Sequence, residues 1–322
     1  MTQWAEIESV PSTGRAPTAD GAARGAAPSG RSLRSATTPR LKRAERLIVG
    51  SIDAAAHVLQ RRARDVLVGS ALFMVPMVGL YLLLSVITFD DFDRLDSLFT
   101  DRGYIGVEAG LVLVGLAVQS LTAHIVGAYA SLYLVRYRMG GEPTIGAVAL
   151  ATVRRLPLLV VTWGVTHWWA LLLWLWMVNV EFATVLGASL LVGPVAVTAS
   201  TFFLLVTPVM MGERLGVKAV GRAWRLVRLR FGAAWGFVAA CTLLGGVLLL
   251  FISTLPSAAE GTGLVTFGSW GWAVQGVMAQ IAVLVVVPFS ALATAEFYLQ
   301  TRVHAEGLDI VMAAERAFGR AS

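Results

Sequence analysis

The stretch FGAAWGFVAACTLLGGVLLLFISTLPSAA, residues 231–259, decides the fold class of this chain. It runs for 29 residues without Asp, Glu, Lys or Arg. A helix needs about 20 apolar residues to cross roughly 30 Å of hydrocarbon, so this stretch is long enough to span a membrane. Five further stretches of 24 to 35 residues are equally free of these charges: 66–89, 109–135, 156–180, 182–212 and 261–295.

The composition of the whole chain agrees with a membrane protein. Of 322 residues, 57% are apolar and only 14% are charged, whereas soluble domains carry about 25% charged residues. Backbone groups in lipid must bond within their own segment, so helices are the expected spanning elements. We therefore predict an all-α, polytopic bundle of six transmembrane helices. The predicted spans are about 67–88, 109–134, 157–179, 185–210, 232–254 and 272–296.

The two ends of the chain differ from this membrane domain, which we place at 45–310. Residues 1–44 are rich in Ala, Gly, Ser, Thr, Pro and Arg and contain few large aliphatic residues. Such a segment cannot bury enough apolar surface to offset its ordering entropy, so we predict a disordered basic arm. Residues 311–322 form a short tail. The arm has no apolar core of the kind found in a signal peptide.

The distribution of charge predicts the orientation. An even number of spans puts both termini on one side, and that side holds 24 of the 26 Lys and Arg residues. The positive-inside rule then places both termini in the cytoplasm. The opposite side holds most of the acids between spans: Asp90, Asp91, Asp93, Asp96, Asp101, Glu108, Glu181 and Glu260.

Residues 213–230, ERLGVKAVGRAWRLVRLR, have the period of an amphipathic helix. At 100° per residue, five of its six basic side chains fall within a sector of about 120°. We predict a cytoplasmic helix at the membrane interface whose cations contact anionic lipid headgroups. The alternative is an ordinary positive loop that only sets topology. The candidate lipid contacts are Arg214, Lys218, Arg222, Arg225 and Arg228.

Similar basic segments precede the first and third spans, which suggests a threefold repeat. Ile52, Ile145 and Leu215 are each followed ten residues later by an arginine. The predicted unit is an elbow helix followed by two spans. Chance similarity between basic segments is the alternative.

Four polar residues lie inside predicted spans and form a candidate midplane site: His124, His167, Gln119 and Gln280. Polar groups in hydrocarbon are costly unless paired, so these side chains are expected to face the bundle interior. They predict either a binding site for a substrate or proton, or hydrogen bonds that hold helices together. Glu296, just within the last span, is expected to pair with Arg302 or with an elbow arginine.

Two stretches resemble a known family. PVMMGERLGVKAVGRAWRLVRLRFGAAWG, residues 208–236, has a proline, a Glu and then a basic helix before a span. The chain end resembles the family's closing motif, in which a proline (here Pro288) precedes Tyr, Arg and Glu-Gly-Leu-Asp. The motif residues are Tyr298, Arg302, Glu306, Gly307, Leu308 and Asp309. The family is the bacterial membrane domain associated with glycerophosphoryl diester phosphodiesterases, often a stand-alone six-helix protein of unknown function. Gln300 stands where relatives usually have Asp.

The sequence contains no nucleophile, phosphate-binding or metal-binding motif and only one cysteine, Cys241. No segment is long enough for a soluble phosphodiesterase domain, so the resemblance implies no activity. We expect no catalytic residues, metal or cofactor, and no nucleic-acid partner. The function predicted is a non-enzymatic scaffold or accessory factor in the bacterial cytoplasmic membrane, with lipid and another envelope protein as partners. A permease or lipid-handling carrier that uses the midplane residues is the alternative.

Overall fold

The structure is a computed structural model that describes residues 43–88, 107–178, 182–268 and 271–307. Almost all of the basic arm, the tail at 311–322, Asp309 and most of the acids predicted on the opposite side lie outside these residues. The described elements are all helical, and six helical segments are long and apolar enough to cross a membrane. The predicted fold class is therefore confirmed.

Nine α-helices make up the described part of the chain. They are α1 (Arg43–Thr88), α2 (Val107–Arg138), α3 (Ile145–Val153), α4 (Leu156–Val178), α5 (Phe182–Phe203), α6 (Val206–Glu213), α7 (Ala219–Leu229), α8 (Phe231–Gly261) and α9 (Gly271–Glu306). A short 3-10 turn at Gly216–Lys218 precedes α7. Helices α1, α2 and α9 pack against one another, α8 packs on α9, and α4 and α6 pack on α2.

The predicted fourth span, 185–210, is divided into two helices. Helix α5 ends at Phe203 and α6 begins at Val206. Pro208 explains the division, since it has no N–H to donate to the carbonyl of Leu204 and its ring crowds that carbonyl. In the first turn of α6, by contrast, the missing N–H costs nothing because it would have no intrahelical partner.

An elbow helix precedes the first, third and fifth spans: residues 43–61 of α1, then α3, then α7. Each elbow meets its span at an arginine with a local break in the helix, namely Arg62 (φ −127°, ψ 29°), the turn at Arg154–Arg155, and Arg230 (φ −141°, ψ 43°). We call the end of the bundle where these helices lie the elbow end.

The repeat register inferred for the third elbow needs correction. Arg62 and Arg155 lie at breaks, as their common spacing suggests, but Arg225 lies inside α7 and the break is at Arg230. The helix starts late because the chain leaves α6 through Arg214 in the left-handed conformation (φ 57°) and the 3-10 turn. Residues 213–230 are therefore not one continuous amphipathic helix.

Large aromatic side chains fill the core near the elbow end. Tyr129, Tyr133, Phe237, Phe297 and Tyr298 are each at most 1% exposed. Tyr129 crosses so close to α1 that a Cβ at Gly69 would overlap its hydroxyl and ring. A glycine at this position is thus what lets α2 approach α1.

Candidate functional site

A cluster of five side chains joins α6, α7 and α9 at the elbow end, and we call it the elbow cluster. Its members are Glu213, Arg222, Tyr298, Arg302 and Glu306. Tyr298, Arg302 and Glu306 come from the closing motif that resembles the family. Glu213 is the Glu that follows Pro208 in the other quoted stretch. Two arginines face two glutamates, so the cluster carries no net charge when all four are ionised.

The three members on α9 are spaced four residues apart and therefore share one face of the helix. Tyr298 donates its hydroxyl to Glu213 Oε1 at 3.0 Å, and Arg302 Nη1 donates to the Tyr298 oxygen at 3.2 Å. Arg302 Nε donates to Glu306 Oε2 at 3.0 Å and lies 3.5 Å from Glu213 Oε1. This face links the end of α6 to the last turns of α9.

Gly307 follows the last residue of α9 and ends the helix. It has a positive φ of 63°, and its N–H donates to the Val303 carbonyl at 3.1 Å. Glycine adopts this left-handed conformation without steric cost, which stops the helix directly after Glu306.

Arg222 departs from the predicted lipid-facing stripe. Its Nε donates to Glu213 Oε2 at 3.1 Å, and its Nη2 pairs with Glu306 Oε1. Partial burial lowers the pKa of Arg222, but the hydrogen bonds to Glu306 and Glu213 outweigh this and hold its pKa above the usual range. The guanidinium faces the protein because two acids distant in sequence meet there. Arg214, Lys218, Arg225 and Arg228 are exposed.

A second ion pair lies deeper, between α2 and α9. Glu296 is only 4% exposed and accepts a hydrogen bond from Arg138 Nε at 2.7 Å, with Nη2 also in contact. The prediction that Glu296 pairs with Arg302 or with an elbow arginine was wrong. Arg302 lies in the elbow cluster instead, and the last turn of α2 brings Arg138 to Glu296.

The sequence analysis missed Asp65, which follows the first elbow. Its Oδ2 accepts a hydrogen bond from the Tyr133 hydroxyl at 2.8 Å, and its carbonyl accepts one from Tyr129 at 2.8 Å. Arg62 Nη1 lies 3.9 Å from the same carboxylate and its guanidinium lies over the Tyr137 ring. Two features of the sequence could have pointed to this contact. Asp65 lies at the start of an apolar stretch, and Tyr129 and Tyr133 are four residues apart and so share one face of α2.

The two midplane histidines meet, with ring centroids 5.4 Å apart. His124 is 8% exposed, and its two ring nitrogens lie 3.2 Å from Thr162 Oγ1 and 3.5 Å from Thr207 Oγ1. His167 Nδ1 lies 2.7 Å from Thr166 Oγ1. The hydroxyl partners of His124 lie on α4 and α6, whereas the partner of His167 is its own neighbour on α4. The contacts of His124 favour interhelical hydrogen bonding over an open site.

The two midplane glutamines lie elsewhere, in a cavity of about 340 Å³ between α1, α2, α8 and α9. Neither histidine lines this cavity. The four predicted residues therefore fall into two separate places, a histidine pair where α2, α4 and α6 meet and a glutamine pair in the cavity between α1, α2, α8 and α9. Gln119 and His124 lie five residues apart on α2, which places them about 140° apart around the helix axis at 100° per residue. The two side chains therefore face different neighbours.

No group of three or more His, Cys, Asp and Glu side chains within the described ranges could hold a metal ion. Comparison of the chain with protein-family models, with curated proteins and with solved structures gives no match. The resemblance to the phosphodiesterase-associated membrane domain stays a prediction from the quoted motifs.

Proposed function

We propose that this protein is a non-enzymatic scaffold or accessory factor of the bacterial cytoplasmic membrane, with both termini in the cytoplasm. The elbow end would rest on the anionic leaflet and present a docking surface to another envelope protein. The observation that carries this proposal is the charge exposed at the elbow end. Among the residues that the structure describes, nine basic side chains are exposed there: Arg46, Arg61, Arg62, Arg64, Arg154, Arg214, Lys218, Arg225 and Arg228.

Exposed acids on the elbows and their connecting loops are few by comparison. Among the described residues, Glu45, Asp53 and Glu142 are exposed, and so is Glu306, which pairs with Arg222 and Arg302. Glu213 and Glu296 pair with arginines inside the protein. The excess of exposed cations is suited to lipid phosphates, since each cation near an anionic surface contributes about 1 kcal/mol of attraction. The elbow cluster supports the same role because it holds α7 against α6 and α9.

Lipid binding by the full-length protein tests the first half of this proposal. Replacing Lys218, Arg225 and Arg228 together by Gln should weaken the binding of phosphatidylglycerol, measured by native mass spectrometry from neutral detergent. Three cations at about 1 kcal/mol each correspond to a loss of over a hundredfold. Gln at Arg94 and Arg102, basic residues predicted on the opposite side, is the matched control and should change little. Equal losses in both variants would overturn the lipid contact.

Site-specific crosslinking in cells tests the scaffold role. A photoreactive residue at Arg228 should give one discrete protein adduct of constant mass. The same residue at Leu264, which is 79% exposed and lies just beyond the far end of α8, should give none. If the residue at Arg228 crosslinks to lipid but not to protein, the scaffold role is overturned and the lipid contact is supported.

A second candidate function, a permease or lipid-handling carrier, is favoured by one observation. The cavity that contains Gln119 and Gln280 lies within the spanning helices and is lined mostly by apolar residues. Reconstitution into liposomes tests it, with the rate at which a fluorescent neutral lipid crosses the bilayer as the readout. A rate equal to that of protein-free liposomes would overturn the carrier.

A further inference from the structure

The glutamine cavity has polar groups whose hydrogen-bonding capacity the protein does not use. Across the described residues, neither the Gln119 amide nor the Gln280 amide has a hydrogen-bond partner. Each amide offers two donors and one acceptor. Within hydrocarbon an unpaired amide is costly, which leaves both side chains suited to a partner from outside the chain.

The other polar side chains of the cavity are already engaged. Ser120 Oγ accepts the Trp163 Nε1 hydrogen at 3.1 Å, and Thr122 donates its hydroxyl to the Val118 carbonyl at 2.8 Å. None of the described residues that line the cavity is charged. The two glutamines are thus the polar side chains of the described lining that have no hydrogen bond, and they are neutral.

The rest of the lining is apolar and comes from four helices. Met74, Met77 and Val78 belong to α1, Leu249 to α8, and Val283 and Val287 to α9. The volume of about 340 Å³ is at the lower end of the range of small-molecule sites. Methionine side chains adapt to irregular apolar partners, so this wall suits a flexible hydrocarbon chain.

The depth of the cavity separates it from the charged elbow end. Gln119 lies about 18 Å along the helix axis from Val107 and about 28 Å from Arg138, at 1.5 Å per residue. A phosphate headgroup anchored at an interface does not reach this depth, and no cation is present to receive it.

From these observations we propose that the cavity binds one neutral lipid-like molecule, a hydrocarbon chain that bears a hydroxyl or carbonyl group. The chain lies against the methionine and valine wall, and its polar group exchanges hydrogen bonds with Gln119 and Gln280. The proposal shares its location with the carrier hypothesis but concerns binding alone, so it holds whether or not the molecule crosses the bilayer.

Photolabelling of the full-length protein in phosphatidylcholine nanodiscs tests this site. The two probes are a long-chain alcohol with a mid-chain diazirine and the alkane of equal length with the same diazirine. The alcohol should label peptides that contain Met74 and Met77 about tenfold more than the alkane does. A tenfold ratio corresponds to about one or two neutral hydrogen bonds. Equal labelling by the two probes would overturn the proposal.

Variants separate the polar group from the chain pocket. Gln119→Leu with Gln280→Leu should abolish the preference for the alcohol while keeping the cavity apolar. Ala123→Phe should block both probes by filling the cavity. Its matched control, Val247→Phe, adds the same ring at a position of α8 that is 56% exposed and outside the cavity lining, and should not change labelling.

Two further results decide between a lipid and other partners for the glutamines. If Ala123→Phe fails to fold, the double leucine variant still tests the hydrogen bonds, since Leu is similar to Gln in size. A change of oligomeric mass in that variant, measured by light scattering, would mean that the glutamines join two copies of the chain and would overturn the lipid site. If the probe labels the cavity but the protein does not speed lipid crossing of the bilayer, only the carrier hypothesis is overturned.

Discussion

At the elbow end, polar side chains meet as pairs of opposite charge, whereas in the middle of the bundle they use single neutral hydrogen bonds or none. Arg138 with Glu296 and the elbow cluster belong to the first kind. The histidines with their threonines and the two free glutamines belong to the second. Ion pairs near an interface can fix the position of an element, while neutral groups in the interior leave room for packing and for a ligand.

The largest expected effect comes from breaking the Arg138–Glu296 pair. Glu296→Gln leaves a guanidinium facing a buried site without its counter-charge and should lower the free energy of unfolding by about 3–5 kcal/mol. Unfolding of the full-length protein by denaturant in mild detergent provides the measurement.

Two controls separate this pair from a general effect of lost charge. Glu142→Gln, at an exposed position, should leave stability within about 0.5 kcal/mol of wild type. Replacing both Arg138 and Glu296 by Met should cost less than Glu296→Gln alone, because no charge is left unpaired. A double variant that is no better than the single one would contradict this account.

The next effect compares two arginines of α7 that lie three residues apart. Arg222→Gln removes charged hydrogen bonds to Glu213 and Glu306 and should cost about 1.5–3 kcal/mol. Arg225→Gln, at an exposed position, should change stability by less than about 0.5 kcal/mol.

The same pair of variants separates folding from lipid binding. Arg225→Gln should weaken phosphatidylglycerol binding, whereas Arg222→Gln should affect mainly unfolding. Equal unfolding free energies for the two variants would mean that the elbow cluster does not hold α7 in place.

Gly69 marks the boundary between the two regions, since Tyr129 crosses it to reach the Asp65 carbonyl. Gly69→Ala should lower the unfolding free energy by about 1–3 kcal/mol, the usual cost of overpacking. The control is Gly79→Ala in the same helix, where an added Cβ meets nothing within 4 Å. That variant should be neutral or slightly stabilising because alanine favours the helix. Similar losses at both positions would contradict the close approach at Gly69.

Local and periodic features of this fold could be predicted from the sequence. Long uncharged stretches predict spans, because the hydrocarbon thickness sets a minimum length. Gly307 predicts the end of α9, because left-handed backbone favours glycine. The break at Leu204–Leu205 could also have been foreseen from Pro208, since the residue four before a proline loses its hydrogen bond.

Contacts between distant parts of the chain could not be predicted in the same way. Glu296 pairs with a residue 158 positions away, and Tyr298 reaches Glu213 across 85. Periodicity assigned Arg222 to the face of the other cations, but it could not reveal that two glutamates would meet that position. Gln119 and His124 differ from these cases, because their five-residue spacing already places them about 140° apart around α2. Helical period could therefore have separated the two residues that the sequence analysis placed in one site.

The smallest expected effect concerns the histidine pair, and it decides how the middle of the bundle is held. His124 Nε2 lies 3.2 Å from Thr162 Oγ1. Thr162→Val alone also removes a bond to the Leu158 carbonyl, so a double-mutant cycle with His124→Leu is needed to isolate the pair. Hydrogen bonds between membrane helices average about 0.6 kcal/mol in such cycles, and we expect that value here. A cycle of His124→Leu with Thr254→Val, an exposed threonine that bonds only to its own helix, should be additive within about 0.3–0.5 kcal/mol. A coupling free energy between His124 and Thr162 no larger than that between His124 and Thr254 would mean that the hydrogen bond does not explain the buried histidine. His124 would then again be a candidate ligand-binding residue.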